Sequence, residues 1–291
     1  MKYKKLLTFL VAGIVLASTI SALTGLFSSG GPGSFYYESI RGQMVHTYGT
    51  GIYKHMSYEV AIQGIAQDLI TLLVAIPALI ISFFYSLKGS LSSRIFFSGT
   101  VFYFFVSYLM YQLMAMYNEL FLPYIYITAS SLLVLILTIH PLILTEVRAA
   151  FSNKAKTSFG GIFLIFNASA ITILWLSIVI PPILDGSIYP TSVEHYTTLV
   201  VQAVDLSLLL PLSFLFGYLL YKRTPEGYLF GTIYLVFLTF MMTALFSKIL
   251  FMGANGYEII PVIFIIPVLL ILSGIGASLM LKDFKTTIHN F

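Results

Sequence analysis

The stretch that decides the fold is residues 259–281, IIPVIFIIPVLLILSGIGASLML, which carries no charged side chain. About 20 apolar residues in a helix, rising 1.5 Å each, cross roughly 30 Å of hydrocarbon. Seven similar stretches precede it, so the sequence predicts an all-α, polytopic transmembrane helical bundle of eight spans. The other spans are predicted near Leu6–Phe27, Val60–Leu87, Ile95–Tyr117, Pro123–Leu144, Phe159–Leu184, Thr198–Tyr221 and Tyr228–Met252.

The composition of the 291 residues supports this class, since 58% are hydrophobic, 9% are charged and 16% are aromatic. Soluble domains carry about a quarter of their residues as charges, and disordered chains carry few aromatics, so both classes are excluded. With no cysteine, the chain has no disulfide, thiolate nucleophile or cysteine-ligated metal. No cofactor motif is present, and the bilayer is the predicted partner.

The cations lie between the apolar runs rather than in one patch, which argues against a nucleic-acid partner. Placing both termini in the cytoplasm puts 12 of the 15 Lys and Arg inside, as the cationic bias of cytoplasmic loops requires. We therefore predict a multi-pass protein of a prokaryotic cell membrane. An alternative for the first span is a cleaved signal peptide ending near Ser21-Ala22. The predicted inner cations are Lys2, Lys4, Lys5, Lys88, Arg94, Arg148, Lys154, Lys156, Lys222, Arg223, Lys282 and Lys285.

An internal repeat is suggested by two pairs of motifs. Asp68-Leu69 in the second predicted helix recurs as Asp205-Leu206 in the sixth, and Gly99-Thr100 in the third recurs as Gly231-Thr232 in the seventh. Such matches predict two parallel four-helix halves, one of the known transporter designs. The separations are 137 and 132 residues, so chance matching in a Leu-, Phe- and Ile-rich sequence is the alternative.

Three short motifs are residues 41–45 (RGQMV), residues 48–53 (YGTGIY) and residues 67–72 (QDLITL). Together with Tyr117-Asn118 and Leu120-Phe121, they resemble an uncharacterised family of prokaryotic multi-pass membrane proteins. Where that family often has an acidic residue after the second motif, this chain has His55-Met56. The resemblance implies no activity, but it favours reading the outer loop and Asp68 as one unit.

Ionisable groups within the spans are the first candidates for function, because burying a charge in a bilayer costs several kcal/mol. Asp68, Asp205 and Lys248 are all predicted in the outer half of the membrane. We expect Asp205 and Lys248 to form an exchangeable ion pair at the mouth of a pathway, with Asp68 as a second acidic site. The alternatives are a static pair that tethers two helices, or a Lys248 that reaches to the interface.

Two prolines strengthen this interpretation, since Pro77 and Pro211 each lie farther along a helix that carries one of the aspartates. A proline inside a helix frees a carbonyl one turn back, which together with a carboxylate can hold a proton or Na⁺. Packing or kinking alone is the alternative. The single tryptophan, Trp175, is interpreted as lipid-facing or core bulk.

Residues 28–59 form the one sizeable extracytoplasmic loop, with a Gly-rich start and a Tyr- and Val-rich stretch compatible with a small β-hairpin. It could act as a lid or as a plain interfacial loop. His46, His55 and His195 are predicted on the outside and are weak metal candidates, because no metal-ligand spacing accompanies them.

The sequence favours a secondary transporter or permease for a small solute or ion, with a proton or Na⁺ as coupling ion. An accessory or sensory membrane subunit without catalysis is the alternative. A membrane-embedded enzyme ranks third, because neither a nucleophile elbow nor a phosphate loop is present.

Overall fold

The structure is a computed structural model that describes residues 3–145 and 157–284. Within these ranges eight helices are long and apolar enough to cross a membrane, which confirms the predicted all-α bundle of a multi-pass membrane protein. The predicted inner cations Lys2, Arg148, Lys154, Lys156 and Lys285 lie outside the described residues. We number the helices α1 to α8: Lys4–Phe27, Tyr58–Leu87, Leu91–Met114, Phe121–Thr145, Thr157–Asp185, Val200–Tyr221, Pro225–Ala254 and Val262–Asp283.

Local capping explains where the helix ends differ from the predicted ones. Helix α7 starts at Pro225 because the hydroxyl of Thr224 accepts a hydrogen bond from the Gly227 N–H at 3.0 Å. Helix α3 ends at Met114, before the predicted Tyr117. Just beyond it, the Asn118 side chain accepts a hydrogen bond from the Leu120 N–H at 2.9 Å and starts a turn.

Helices α3 and α7 are the most buried spans and pack against each other in the middle of the bundle. A Cβ on Gly99 would lie 2.5 Å from Val236 Cβ, so glycine permits this close approach. Its proposed repeat counterpart, Gly231, faces Leu220 of α6 instead. The two Gly-Thr motifs therefore have different neighbours. The six surrounding helices expose many large apolar side chains, as expected for surfaces that contact lipid.

Helices α2 and α6 are each interrupted by one π-helical segment. Thr71–Ala75 adopts it in α2 and Asp205–Leu209 in α6. Pro77 and Pro211 come two residues after the respective segments, so both segments occur just where proline removes a helical N–H donor. The two aspartates occupy different positions relative to these segments. Asp205 is the first residue of its segment, whereas Asp68 lies three residues before the other.

The connections at one end of the bundle form a folded cap, defined here as residues 28–57 and 186–199. Strands β1 (Phe35–Glu38) and β2 (Met44–Thr47) pair antiparallel, with Phe35 opposite Thr47. The second segment docks on them, because Arg41 Nη1 donates to the Glu194 carbonyl at 2.9 Å and Gln43 Nε2 donates to the Thr191 carbonyl at 2.9 Å. The cap therefore joins two connections that are distant in sequence.

Candidate functional site

The Asp68 carboxyl lies at the centre of a buried polar cluster beneath the cap. Asp68 is only 1% exposed. The Tyr53 hydroxyl is 2.5 Å from Oδ2, and the Tyr111 hydroxyl is 2.9 Å from Oδ1. Tyr53 comes from a short 3₁₀ turn in the cap and Tyr111 from α3, so the carboxyl ties both to α2. The predicted link between the loop motif and Asp68 thus takes the form of a direct hydrogen bond.

Helix α1 closes the cluster on a third side. A Cβ on Gly25 would collide with Asp68 Oδ2, so the backbone of α1 lies directly against the carboxyl. Aromatic rings complete the wall, since the Tyr111 and Tyr124 rings are stacked 5.2 Å apart. The Tyr124 hydroxyl is buried and has no hydrogen-bond partner. The site is therefore tightly enclosed and lined with hydroxyl groups.

A second set of hydrogen bonds continues along α2. Gln67 Nε2 donates to the Tyr103 hydroxyl at 2.8 Å and to Ser107 Oγ at 3.1 Å, and Thr71 Oγ1 lies 2.9 Å from the same tyrosine. Gln67 Oε1 is buried without a partner. Such a network is strong in surroundings of low dielectric constant, where an unmade bond is also costly. It fixes the face that α2 presents to α3.

Asp205 has a partner that the sequence did not predict. Its Oδ2 accepts a hydrogen bond from Trp175 Nε1 at 2.8 Å, which joins α5 to α6 at the start of the π-helical segment. Asp205 itself is only partly buried. Trp175 is therefore a site residue rather than lipid-facing bulk. One property of the sequence could have indicated this contact: the indole N–H of a tryptophan within an apolar span needs a hydrogen-bond acceptor.

Lys248 lies on α7 within electrostatic range of both Asp68 and Asp205. The neighbouring Ser247 donates to the Ala66 carbonyl of α2 at 3.3 Å, which holds this part of α7 against α2. No ion pair within 4.0 Å joins Lys248 to either aspartate. Lys54 and Glu119 form an ion pair at 3.9 Å on the cap side. The three predicted residues are thus near one another without a closed salt bridge.

The three histidines are not brought together. His46 is stacked between the rings of Tyr36 and Tyr58, at 4.4 and 4.6 Å, while His195 packs on Tyr37 at 5.8 Å and His55 is exposed. In the described part of the chain, no group of three His, Cys, Asp or Glu could hold a metal ion. These residues shape the cap instead.

Electrostatics of the cap are set mainly by burial. Burial raises the pKa of Glu194 and lowers that of His195, and the nearby Arg41 lowers the latter further. Burial is also the main cause that raises the pKa of Tyr53 well above its usual value of 10. The Tyr53 hydroxyl therefore keeps its hydrogen and can donate it to Asp68.

Two grooves lie away from this cluster. One, of about 650 Å³, is almost wholly apolar and runs between α1 and α4, where Tyr126 packs on Gly13. The other, of about 460 Å³, lies between α2, α3 and α8. Neither is lined by Asp68, Asp205 or Lys248. The first groove is lined by Phe9, Ala12, Gly13, Leu16, Ala17, Ile20, Leu122, Pro123 and Tyr126.

Comparisons of the chain with protein-family models, with curated proteins and with solved structures found no match.

Proposed function

We propose that this protein is a secondary transporter or permease for a small solute or ion, with Asp205 and Lys248 as its exchanging charges and Asp68 as a second acidic site. The observation that carries the proposal is that Lys248 lies within range of two carboxyl groups and closes an ion pair with neither. In low dielectric surroundings a purely structural tether gains most from direct contact. An open arrangement leaves Lys248 free to make and break contact with Asp205.

The backbone of α2 and α6 supports the same proposal. Both helices carry a π-helical segment that ends two residues before a proline, and an aspartate lies in the segment of α6 and three residues before that of α2. Single π-helical turns are frequent at functional sites, and irregular helices supply backbone carbonyls to coupling ions in transporters. A proton or Na⁺ is the coupling ion we propose. The matching segments, and the packing of α3 on α7, also support two parallel halves, although the Gly-Thr motifs have different neighbours.

We place the cap outside the cell and both termini in the cytoplasm of a prokaryotic cell. The described connection after α2 carries Lys88, and that after α6 carries Lys222 and Arg223, both at the end opposite the cap. Because the chain lacks cysteine, the single variants Tyr36→Cys and Lys88→Cys can each be labelled in intact cells with an impermeant maleimide. Labelling at position 36 alone is expected, and labelling at position 88 alone would reverse the orientation.

Transport is tested in proteoliposomes. Trp175 is the single tryptophan and contacts Asp205, so its emission can screen amino acids, sugars, carboxylates and monovalent cations for binding. Uptake of any hit is then measured for Asp205→Asn and Lys248→Met. We expect both to abolish uptake, while Asp185→Asn and Lys222→Met, which change exposed charges, keep it. Unaltered uptake with a lower unfolding temperature would instead identify a static tether.

A second function, an accessory membrane subunit, is favoured by the apolar groove between α1 and α4. Close packing on small residues such as Gly13 and Ala17 is how membrane helices associate. In that case photo-crosslinkers at Phe9 and Leu122 would capture one specific partner helix in native membranes. Crosslinks to lipid only would remove this alternative.

A further inference from the structure

Three short oxygen–oxygen contacts lie at or next to Asp68, and each needs one hydrogen between its two oxygens. Tyr53 lies 2.5 Å from Asp68 Oδ2, and the Tyr111 hydroxyl lies both 2.9 Å from Asp68 Oδ1 and 2.8 Å from the Gly64 carbonyl. All three are hydrogen-bond distances. Each tyrosine hydroxyl supplies a single hydrogen. An ionised carboxylate therefore leaves two hydrogens for three contacts.

With an ionised carboxylate, one pair of oxygens would face each other at under 3 Å with no hydrogen between them, inside a buried and closely packed cluster. A proton on Asp68 Oδ1 removes the conflict. The acid then donates to the Tyr111 oxygen, Tyr111 donates to Gly64, and Tyr53 donates to Oδ2. Three hydrogens fill three contacts, and no net charge remains in the cluster.

From this count we infer that Asp68 is a proton-binding site, occupied at neutral pH and separate from the Asp205 and Lys248 groups. The inference goes beyond the proposed transport function and holds whether or not the protein transports a solute. Its role would be to bind one proton between the cap, α2 and α3.

The surroundings of Asp68 agree with an uncharged acid. The cap, α3 and α4 bring the tyrosine hydroxyls of Tyr53, Tyr111 and Tyr124 near it. Gly25 of α1 leaves no space for a counter-ion beside Oδ2. Lys248 of α7 is the cation within electrostatic range, and it makes no ion pair with Asp68 within 4.0 Å. An unpaired charge buried in such a place would cost several kcal/mol. The ionisable groups nearest Asp68 are Tyr53, Tyr103, Tyr108, Tyr111, Tyr124 and Lys248.

Infrared spectroscopy of the full chain in lipid nanodiscs tests this directly. The chain has four aspartates, Asp68, Asp185, Asp205 and Asp283, so a spectrum of ¹³C-aspartate-labelled minus unlabelled protein isolates their carboxyl bands. At neutral pH we expect one band of a protonated, hydrogen-bonded carboxylic acid. It should persist in Asp205→Asn and disappear in Asp68→Asn. Carboxylate bands alone, or loss of the acid band in Asp205→Asn, would overturn the inference.

A second variant keeps the test decisive if Asp68→Asn does not fold. Tyr111→Phe removes the acceptor of the proposed acid hydrogen and leaves Asp68 in place. We expect its acid carbonyl band to move to higher frequency, because the acid loses a hydrogen-bond partner. Tyr126→Phe, at a tyrosine of α4 that packs on Gly13, is the matched control and should leave the band unmoved. An acid band that Tyr111→Phe does not shift would contradict the assignment.

Discussion

Trp175 and Asp205 are joined by a hydrogen bond of 2.8 Å from the indole N–H to the carboxyl Oδ2. The bond links the exposed helix α5 to the first residue of the π-helical segment in α6. It gives Asp205 a neutral donor as its direct partner, in a position where a salt bridge to Lys248 was expected. The carboxyl is thereby oriented without being neutralised.

Trp175→Phe should lower the thermal unfolding temperature, because it leaves a partly buried carboxyl oxygen without its donor. Losing such a donor costs about 1 kcal/mol at a partly buried acceptor. Unfolding is followed for the wild type, Trp175→Phe, Asp205→Ala and the double variant, which together isolate the coupling between the two residues. Simple additivity of the two single effects would show that the bond contributes nothing.

Gly25→Ala should destabilise the protein more than the same change on a helix with open space. Its new Cβ would collide with Asp68 Oδ2, and overpacking of this kind costs about 1–3 kcal/mol. At Gly274 of α8 the nearest atom to a new Cβ is 3.8 Å away, which makes Gly274→Ala the matched control. The measurement is the unfolding temperature in one detergent, and equal values for both variants would disprove the close contact.

His195 should make docking of the cap segment 186–199 sensitive to acid. Its folded pKa lies below 6.5, through burial first and Arg41 second, so the unfolded segment binds more protons between the two values. The contribution of neutral His195 to docking of the segment is therefore fully present above about pH 6.5 and is lost as the pH falls through the folded pKa. Both ring nitrogens are buried without partners, so protonation would add an unpaired charged donor.

Hydrogen exchange of residues 186–199 measures this effect. Glu194 has a raised pKa and contributes in the opposite direction, with stability falling as pH rises from about 4.5 to its folded pKa. The experiment is therefore done in the Glu194→Gln background. Adding His195→Gln should remove the acid-induced loss of protection. Persistence of that loss would assign it to another group.

Arg41→Lys should loosen the same segment while keeping the charge. The guanidinium donates to the Glu194 carbonyl at 2.9 Å and lies 5.2 Å from the centre of the Tyr189 ring, a geometry that lysine does not reproduce. Losing about 1 kcal/mol would raise exchange of residues 189–196 roughly fivefold. Hydrogen exchange in the helices should not change and serves as the internal control. Unchanged exchange of residues 189–196 would mean that the Arg41 side chain does not hold this segment.

Hydrogen-bonded partners were the part of the site that sequence reasoning predicted least well. Asp68, Asp205 and Lys248 could be selected because each interrupts an apolar run, which is a local property. Tyr53 stands out only as the last residue of the motif at residues 48–53, Trp175 only as lipid-facing or core bulk, and Tyr111 not at all. Twenty tyrosines in the chain gave no signal to distinguish the two that reach a carboxyl.

Local hydrophobicity alone determined the eight spans, because each helix satisfies its own backbone hydrogen bonds and needs only about 20 apolar residues to be stable in lipid. Which polar groups meet inside the bundle was decided by tertiary packing. Tyr53 and Tyr111 reach Asp68 from 15 and 43 positions away, and Trp175 reaches Asp205 from 30. Contacts of that kind depend on helix rotation and close approach, as at Gly25, and no pattern within one span encodes them.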